Sequence, residues 1–191
     1  MIAFREVTMA FAFALMLLAG ADFGLDPAWK PVADPLAPAR AGKIQCHDPD
    51  PAARTCRLMT WFDTRADGGV AVRQLTALAN APTLAAEARF RLTREGDALC
   101  GVVDDAYMAG FRIVSSRAPH APVNDKRLIL LYRDALVATL WKRKTCAYEY
   151  ARADDPMQQE VGTVDGEFAG ELMSQYLWID PGAGWRLKAP G

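Results

Sequence analysis

Residues 125–143 read DKRLILLYRDALVATLWKR. Leu128, Leu131, Tyr132, Ala135, Leu136, Thr139 and Leu140 recur at helical spacing. Ile129, Leu130, Val137 and Trp141 widen the apolar surface beyond one stripe. A helix apolar over so much of its circumference is expected to be buried against a sheet. Asn124 is a candidate N-cap and Asp125 suits the positive end of the helix dipole, while Lys142-Arg143-Lys144 suit the negative end.

The flanking sequence reads as strands. In 86–93, Ala88, Phe90 and Leu92 alternate with Glu87, Arg89, Arg91 and Thr93, the period of a half-buried strand. In 145–152, Cys146, Tyr148 and Tyr150 alternate with Ala147, Glu149 and Ala151, which assigns Glu149 to the outward face. Further extended segments are expected at 43–46, 56–62, 98–103, 111–115, 158–164 and 174–179, with 70–78 a strand or a short helix. Turn signals separate them at Asp67-Gly68-Gly69, Glu95-Gly96-Asp97, Asp154-Asp155-Pro156 and Asp165-Gly166. The expected fold is α+β: a mainly antiparallel sheet packed by one long helix and braced by two disulfides.

The N-terminus places Arg5 ahead of a 13-residue apolar run, Met9 to Ala21. As a helix it reaches roughly 20 Å, short of the ~30 Å of a bilayer core. The run fits a signal-peptide core, and Ala19-Gly20-Ala21 supplies the small residues of a cleavage site, so residues 1–21 are expected to be removed on export. Residues 22–42 carry Pro27, Pro31, Pro35 and Pro38 and read as an extended linker. Residues 43–191 form the single domain. An uncleaved signal would instead tether that domain to the membrane.

Export changes the meaning of the four cysteines, Cys46, Cys56, Cys100 and Cys146. Disulfides persist in oxidising compartments. Of the three possible pairings, Cys46–Cys56 and Cys100–Cys146 are favoured, because the first two are close in sequence and lie in adjacent extended segments. Metal-ligand pairs of the C-x-x-C type are absent from the sequence, as is a leftover thiol, so neither a metal nor a cofactor is expected. His47, beside Cys46, is read as a surface side chain. The net charge is −1, before and after removal of Arg5 and Glu6, which argues against nucleic acid as a partner.

The patterns Q-C…P-D-x-A-x-x-T-C over 45–56, C-G at 100–101, K-x-C-x-Y-x-Y over 144–150 and W-I-x-P-x-x-G-W-R-L-x-A-P over 178–190 resemble a loose set of small exported four-cysteine proteins of Gram-negative bacteria. The resemblance implies export and the two disulfides. It supplies no catalytic residues.

Chemistry is sparse. The sequence contains no G-x-S-x-G, phosphate-binding loop or H-E-x-x-H. Ser115 and His120 fall together in a proline-rich loop, where a solvated histidine is the simpler reading. The candidate catalytic carboxylates are Asp104, Asp105 and Glu149; Asp104-Asp105 also reads as a helix start before Ala106. A candidate anion-binding stretch is Trp141, Lys142, Arg143 and Lys144. Trp61, Trp178, Trp185, Tyr148, Tyr150 and Tyr176 are candidates for a sugar- or peptide-binding face, against the commoner role of filling a core. The functional expectation is a periplasmic, non-enzymatic binding or accessory module of the cell envelope, its partner an envelope component or another protein. The alternatives are a small envelope hydrolase using a carboxylate pair and an inhibitor of an exported enzyme.

Overall fold

The computed structural model describes residues 23–78, 84–115 and 126–188. The leader, the cleavage site, Asn124, Asp125 and His120 lie outside the described residues. In chain order the elements are β1 (Lys30–Pro31), α1 (Ala37–Arg40), β2 (Ile44–His47), β3 (Thr55–Cys56), β4 (Leu58–Thr64), β5 (Gly69–Ala77), β6 (Leu84–Glu95), β7 (Ala98–Val102), α2 (Asp105–Ala109), β8 (Arg112–Ser115), α3 (Lys126–Leu140), β9 (Lys144–Arg152), β10 (Asp155–Val164), β11 (Glu167–Phe168), a 3₁₀ turn (Gly170–Leu172), β12 (Ser174–Ile179) and β13 (Arg186–Leu187).

Eight of these strands form a closed antiparallel barrel. β2, β4, β5, β6, β7, β9, β10 and β12 each pair with the next in sequence, and β12 returns to β2 in the register Tyr176↔His47 to Ile179↔Ile44. The expected α+β fold, a sheet packed by one long helix, is therefore corrected to an all-β barrel with short helices around it. The physical reason is that a sheet curled onto itself covers its own inner face and leaves no broad apolar face for a helix to cover. The expected helix is present as α3, but it contains no buried residue. Leu128, Ile129 and Tyr132 touch a patch of Leu78, Ala86 and Ile113 on the barrel wall. Leu130 is 55% exposed and Leu131 61%.

The strand expectations carry over well. The alternating segment at 86–93 is the centre of β6, and 158–164 pairs back on β9 as a hairpin, with Glu160 opposite Glu149. Asp165 and Gly166 both take positive φ (53° and 85°), the backbone of a tight primed hairpin turn between β10 and β11. β6 bends between two partners: its first residues pair with β8 and its last with β7.

Both disulfides form as paired in the sequence reading. Cys100 and Cys146 are directly opposite each other on β7 and β9. Cys46–Cys56 ties β2 to β3 beneath an outer cluster of Ile44, Met59 and Ile179, with Trp61, Trp185 and Leu187 packed against it. β13 pairs with β3 and lays the C-terminal segment along this wall.

The proline-rich segment follows the barrel surface. β1 pairs with the end of β9, the Arg152 guanidinium stacks on Trp29 with Cζ 4.6 Å from the ring centroid, and Leu36, 5% exposed, packs among Val70, Val72 and Leu99. Because Phe62, Phe90 and Leu92 sit beside it, Leu36 stops one end of the barrel with apolar surface.

Candidate functional site

Barrels of eight strands either fill with side chains or leave room for one small ligand. Here the interior holds a cavity of about 310 Å³, graded from apolar to polar along its wall. Phe62, Val72, Phe90, Leu92 and Leu99 line one part, and Gln45, His47, Thr60, Gln74, Glu149, Glu160 and Ser174 line the other. The grading follows from period-2 alternation: each inward position on a strand is two residues from the next. β2 contributes Gln45 and His47, β9 contributes Ala147 and Glu149, and β10 contributes Glu160 and Gly162. Gly162 is small for a reason. A Cβ there would lie 2.3 Å from the Leu172 Cβ, so its absence lets the 3₁₀ turn tuck against the strand.

The polar side chains form a chain of hydrogen bonds across four strands. Ser174 Oγ lies 2.9 Å from His47 Nδ1, and His47 Nε2 lies 3.2 Å from Gln45 Oε1. Gln45 Nε2 donates to Glu149 Oε1 at 2.9 Å. The Tyr176 hydroxyl is 2.5 Å from Glu149 Oε2 and 2.6 Å from Gln158 Oε1, and Trp178 Nε1 donates to the same Gln158 oxygen at 3.2 Å. Since a phenol carries one proton, it cannot donate to both oxygens. A protonated Glu149 carboxyl satisfies the arrangement by donating to the Tyr176 oxygen.

Burial explains the protonation. It pushes the Glu149 carboxyl up to about 7, against the opposing bonds from Tyr176 and Gln45. It pushes Glu160 up to about 8, with the charge of Glu149 acting in the same direction. The His47 imidazole is driven down to about 3 by burial and then by the Arg57 charge, so it is neutral, one ring nitrogen donating and the other accepting. Two groups are left incomplete. Thr60, 3% exposed, has a hydroxyl without a hydrogen-bond partner. The Glu160 carboxyl has neither a hydrogen bond nor an ion pair among the described residues, in contrast to Glu149.

Two sequence assignments are reversed by this geometry. Glu149 faces the interior at 4% exposure, and Tyr148 and Tyr150 face outward against Phe23. His47 is buried, not a surface side chain. Alternation gives two faces without saying which is inside, and this barrel lines part of its interior with the polar one.

The other candidate residues are dispersed. Asp104 caps α2, its Oδ1 accepting from the Tyr107 N–H at 2.9 Å, and Asp105 is exposed in the first turn. Asp104 lines an outer groove with Trp61, Arg73, Arg89 and Arg91, whereas Glu149 lines the interior cavity. The carboxyl that does meet Glu149 is Glu160. Trp141 bridges to Val103, Lys142 Nζ sits 5.8 Å from the Trp141 ring centroid, Arg143 pairs with Asp165 at 2.8 Å and Lys144 with Glu95 at 2.5 Å. The six aromatic residues do not gather on one face, although Tyr176 and Trp178 meet edge-on with ring centroids 6.1 Å apart. Tyr176 is enclosed in the barrel, Trp61 and Trp185 pack on the outer cluster, and Tyr148 and Tyr150 lie on another wall.

A second polar cluster, missed in the sequence, sits on the outer wall. Glu87 on β6 is fully buried, bonded by Arg73 Nε at 2.7 Å, Arg89 Nε at 3.1 Å and Arg112. Burial alone would raise its carboxyl, but the bonds from Arg112, Arg73 and Arg89 outweigh it and hold the group at about 2. Arg73 also stacks on Trp61, 4.9 Å from the ring centroid. So charged a wall does not face lipid. Among the described residues no helix is long and apolar enough to cross a membrane. That and the two disulfides are compatible with a non-cytoplasmic protein. No protein family, curated protein or solved structure matches the chain.

Proposed function

We propose that the protein is an exported, periplasmic, non-enzymatic binding module of the cell envelope, and that it takes a small ligand inside its barrel. The observation that carries this reading is the incomplete polar lining of the interior cavity. At about 310 Å³ the cavity lies at the low end of the range for small-molecule sites. A barrel built only for stability would fill that space with apolar side chains. Here the buried Thr60 hydroxyl has no hydrogen-bond partner, a state that costs free energy unless something else satisfies it, and no side chain among the described residues bonds the Glu160 carboxyl.

Binding is favoured over catalysis by placement. Glu149 and Glu160 stand side by side on neighbouring strands, whereas a glycosidase sets its two carboxyls across the scissile bond from each other. The closed ring of eight strands also leaves no free edge among them for a partner strand, which weakens the inhibitor alternative. Export rests on the leader and the disulfides. N-terminal sequencing of protein recovered from the envelope fraction is expected to begin at Asp22, and an intact Met1 would support the tethered form instead.

The binding reading is tested by amide chemical-shift mapping against a library of fragment-sized compounds. Hits are expected to move the amides of Thr60, Gln74, Ala147 and Gly162, which ring the interior. Hits confined to the outer groove around Arg73 and Arg91 would overturn it.

A further inference from the structure

We infer that the interior site selects a ligand with a cationic nitrogen head and a small apolar body. This rests on the reading of the cavity as a ligand site and names the class of ligand. The geometry is specific. Glu149 and Glu160 are direct cross-strand partners on β9 and β10, so both carboxyls enter the barrel from the same side at the same level. Glu149 is held by Gln45 and Tyr176. Glu160 is held by no side chain among the described residues.

The groups around the pair supply no counter-charge. From β2 comes His47, neutral and bonded to Gln45 and Ser174. From β12 comes the Tyr176 phenol, kept protonated first of all by burial. Tyr107 on α2 is likewise protonated, and Glu171 in the 3₁₀ turn adds a third acidic side chain to the lining. Among the described lining residues the one cation is Arg57, and it pairs with Asp48 at 3.0 Å. The remaining wall, Phe62, Val72, Phe90, Leu92 and Leu99, is apolar and suits a hydrocarbon or aromatic body.

Without a cation the pair keeps its protons below about pH 7. An arriving ammonium displaces the Glu160 proton to solvent and leaves a carboxylate facing N–H donors, so no charge is created in the site and one proton is released. Binding therefore strengthens as pH rises toward the range in which Glu160 ionises, by about tenfold per pH unit at most.

The test uses three probes of similar size on the full exported chain: benzylamine, benzyl alcohol and benzoate, titrated by calorimetry at about pH 6 and about pH 8. Benzylamine is expected to bind at least about tenfold more tightly than benzyl alcohol at the higher pH. That preference shrinks at the lower pH, and the heat varies with buffer as a released proton requires. Glu160→Gln is expected to abolish the preference for the amine over the alcohol and the proton release. Equal binding of amine and alcohol, a preference for benzoate, or an amine preference that survives Glu160→Gln would overturn the cationic head and leave the cavity reading standing. If none of the three probes moves an interior amide, the cationic head falls, and the fragment library then decides the cavity reading separately.

Discussion

Replacing Glu160 with glutamine is expected to make the folded protein more stable above neutral pH, the reverse of what losing a charged residue usually does. In the folded chain burial and the neighbouring Glu149 push the Glu160 carboxyl from its ordinary value of 4.5 up to about 8. The unfolded chain gives up that proton near 4.5, so between these two values the folded state binds more protons than the unfolded one. Stability then falls as pH rises through that window. Each pH unit is worth about 1.4 kcal/mol per proton, which caps the cost at roughly 5 kcal/mol above pH 8. Water entering the cavity and relaxation around the carboxyl return part of this, and a net cost of about 2–3 kcal/mol is expected. Glu149, pushed up to about 7, adds a loss of the same sign, and the two acids titrate as a coupled pair. Glutamine is isosteric and has no proton to lose, so the variant keeps the shape of the wall and loses about one proton's worth of slope. Urea unfolding of both proteins at about pH 5, 6, 7 and 8 measures the difference. Curves that run parallel across this range, or a variant that is less stable at the alkaline end, would refute the assignment of Glu160 as a half-buried acid facing the interior cavity.

On the outer wall, Glu87→Gln is expected to destabilise by about 3 kcal/mol at neutral pH, because it leaves Arg73, Arg89 and Arg112 clustered without their shared carboxylate. The Glu87 carboxyl is held at about 2, against an ordinary 4.5, so its contribution is present above pH 4.5 and is lost as pH falls toward 2; acid unfolding of the variant should lack that component. Replacing Cys100 and Cys146 together by serine opens a loop closed over 46 residues and is expected to cost about 4 kcal/mol, read from the urea midpoint. Gly162→Ala drives a methyl into Leu172 and should cost about 1–3 kcal/mol in the same assay, with amide shifts confined to β10 and the 3₁₀ turn.

Much of the local structure was legible because it depends on neighbours in sequence. Asp104 as a helix cap, Asp165-Gly166 as a turn, α3 as a helix and β6 as an alternating strand all follow from preferences that act over a few residues. The interior site was legible only in fragments. Gln45, Glu149, Glu160 and Tyr176 each occur in an extended segment, and a polar residue there is ordinarily read as facing water. They meet through registers across β2, β9, β10 and β12, spanning 131 residues from Gln45 to Tyr176. A signal was present in 45–47, where Gln45 and His47 flank Cys46, but 158–160 is polar throughout (Gln158, Gln159, Glu160), and period alone does not assign a face.

The sequence by itself carried most of the strands, the helix at 126–140, the turns between them and a favoured cysteine pairing, since each depends on spacing along the chain. Only the tertiary structure decided that the sheet closes. Closure depends on β12 finding β2, and no local preference encodes that pairing. Once the ring is shut, inside and outside are exchanged at Glu149 and His47: α3 loses the broad face it was expected to cover, and the Glu149 carboxyl, expected in solvent, shares the interior with Glu160.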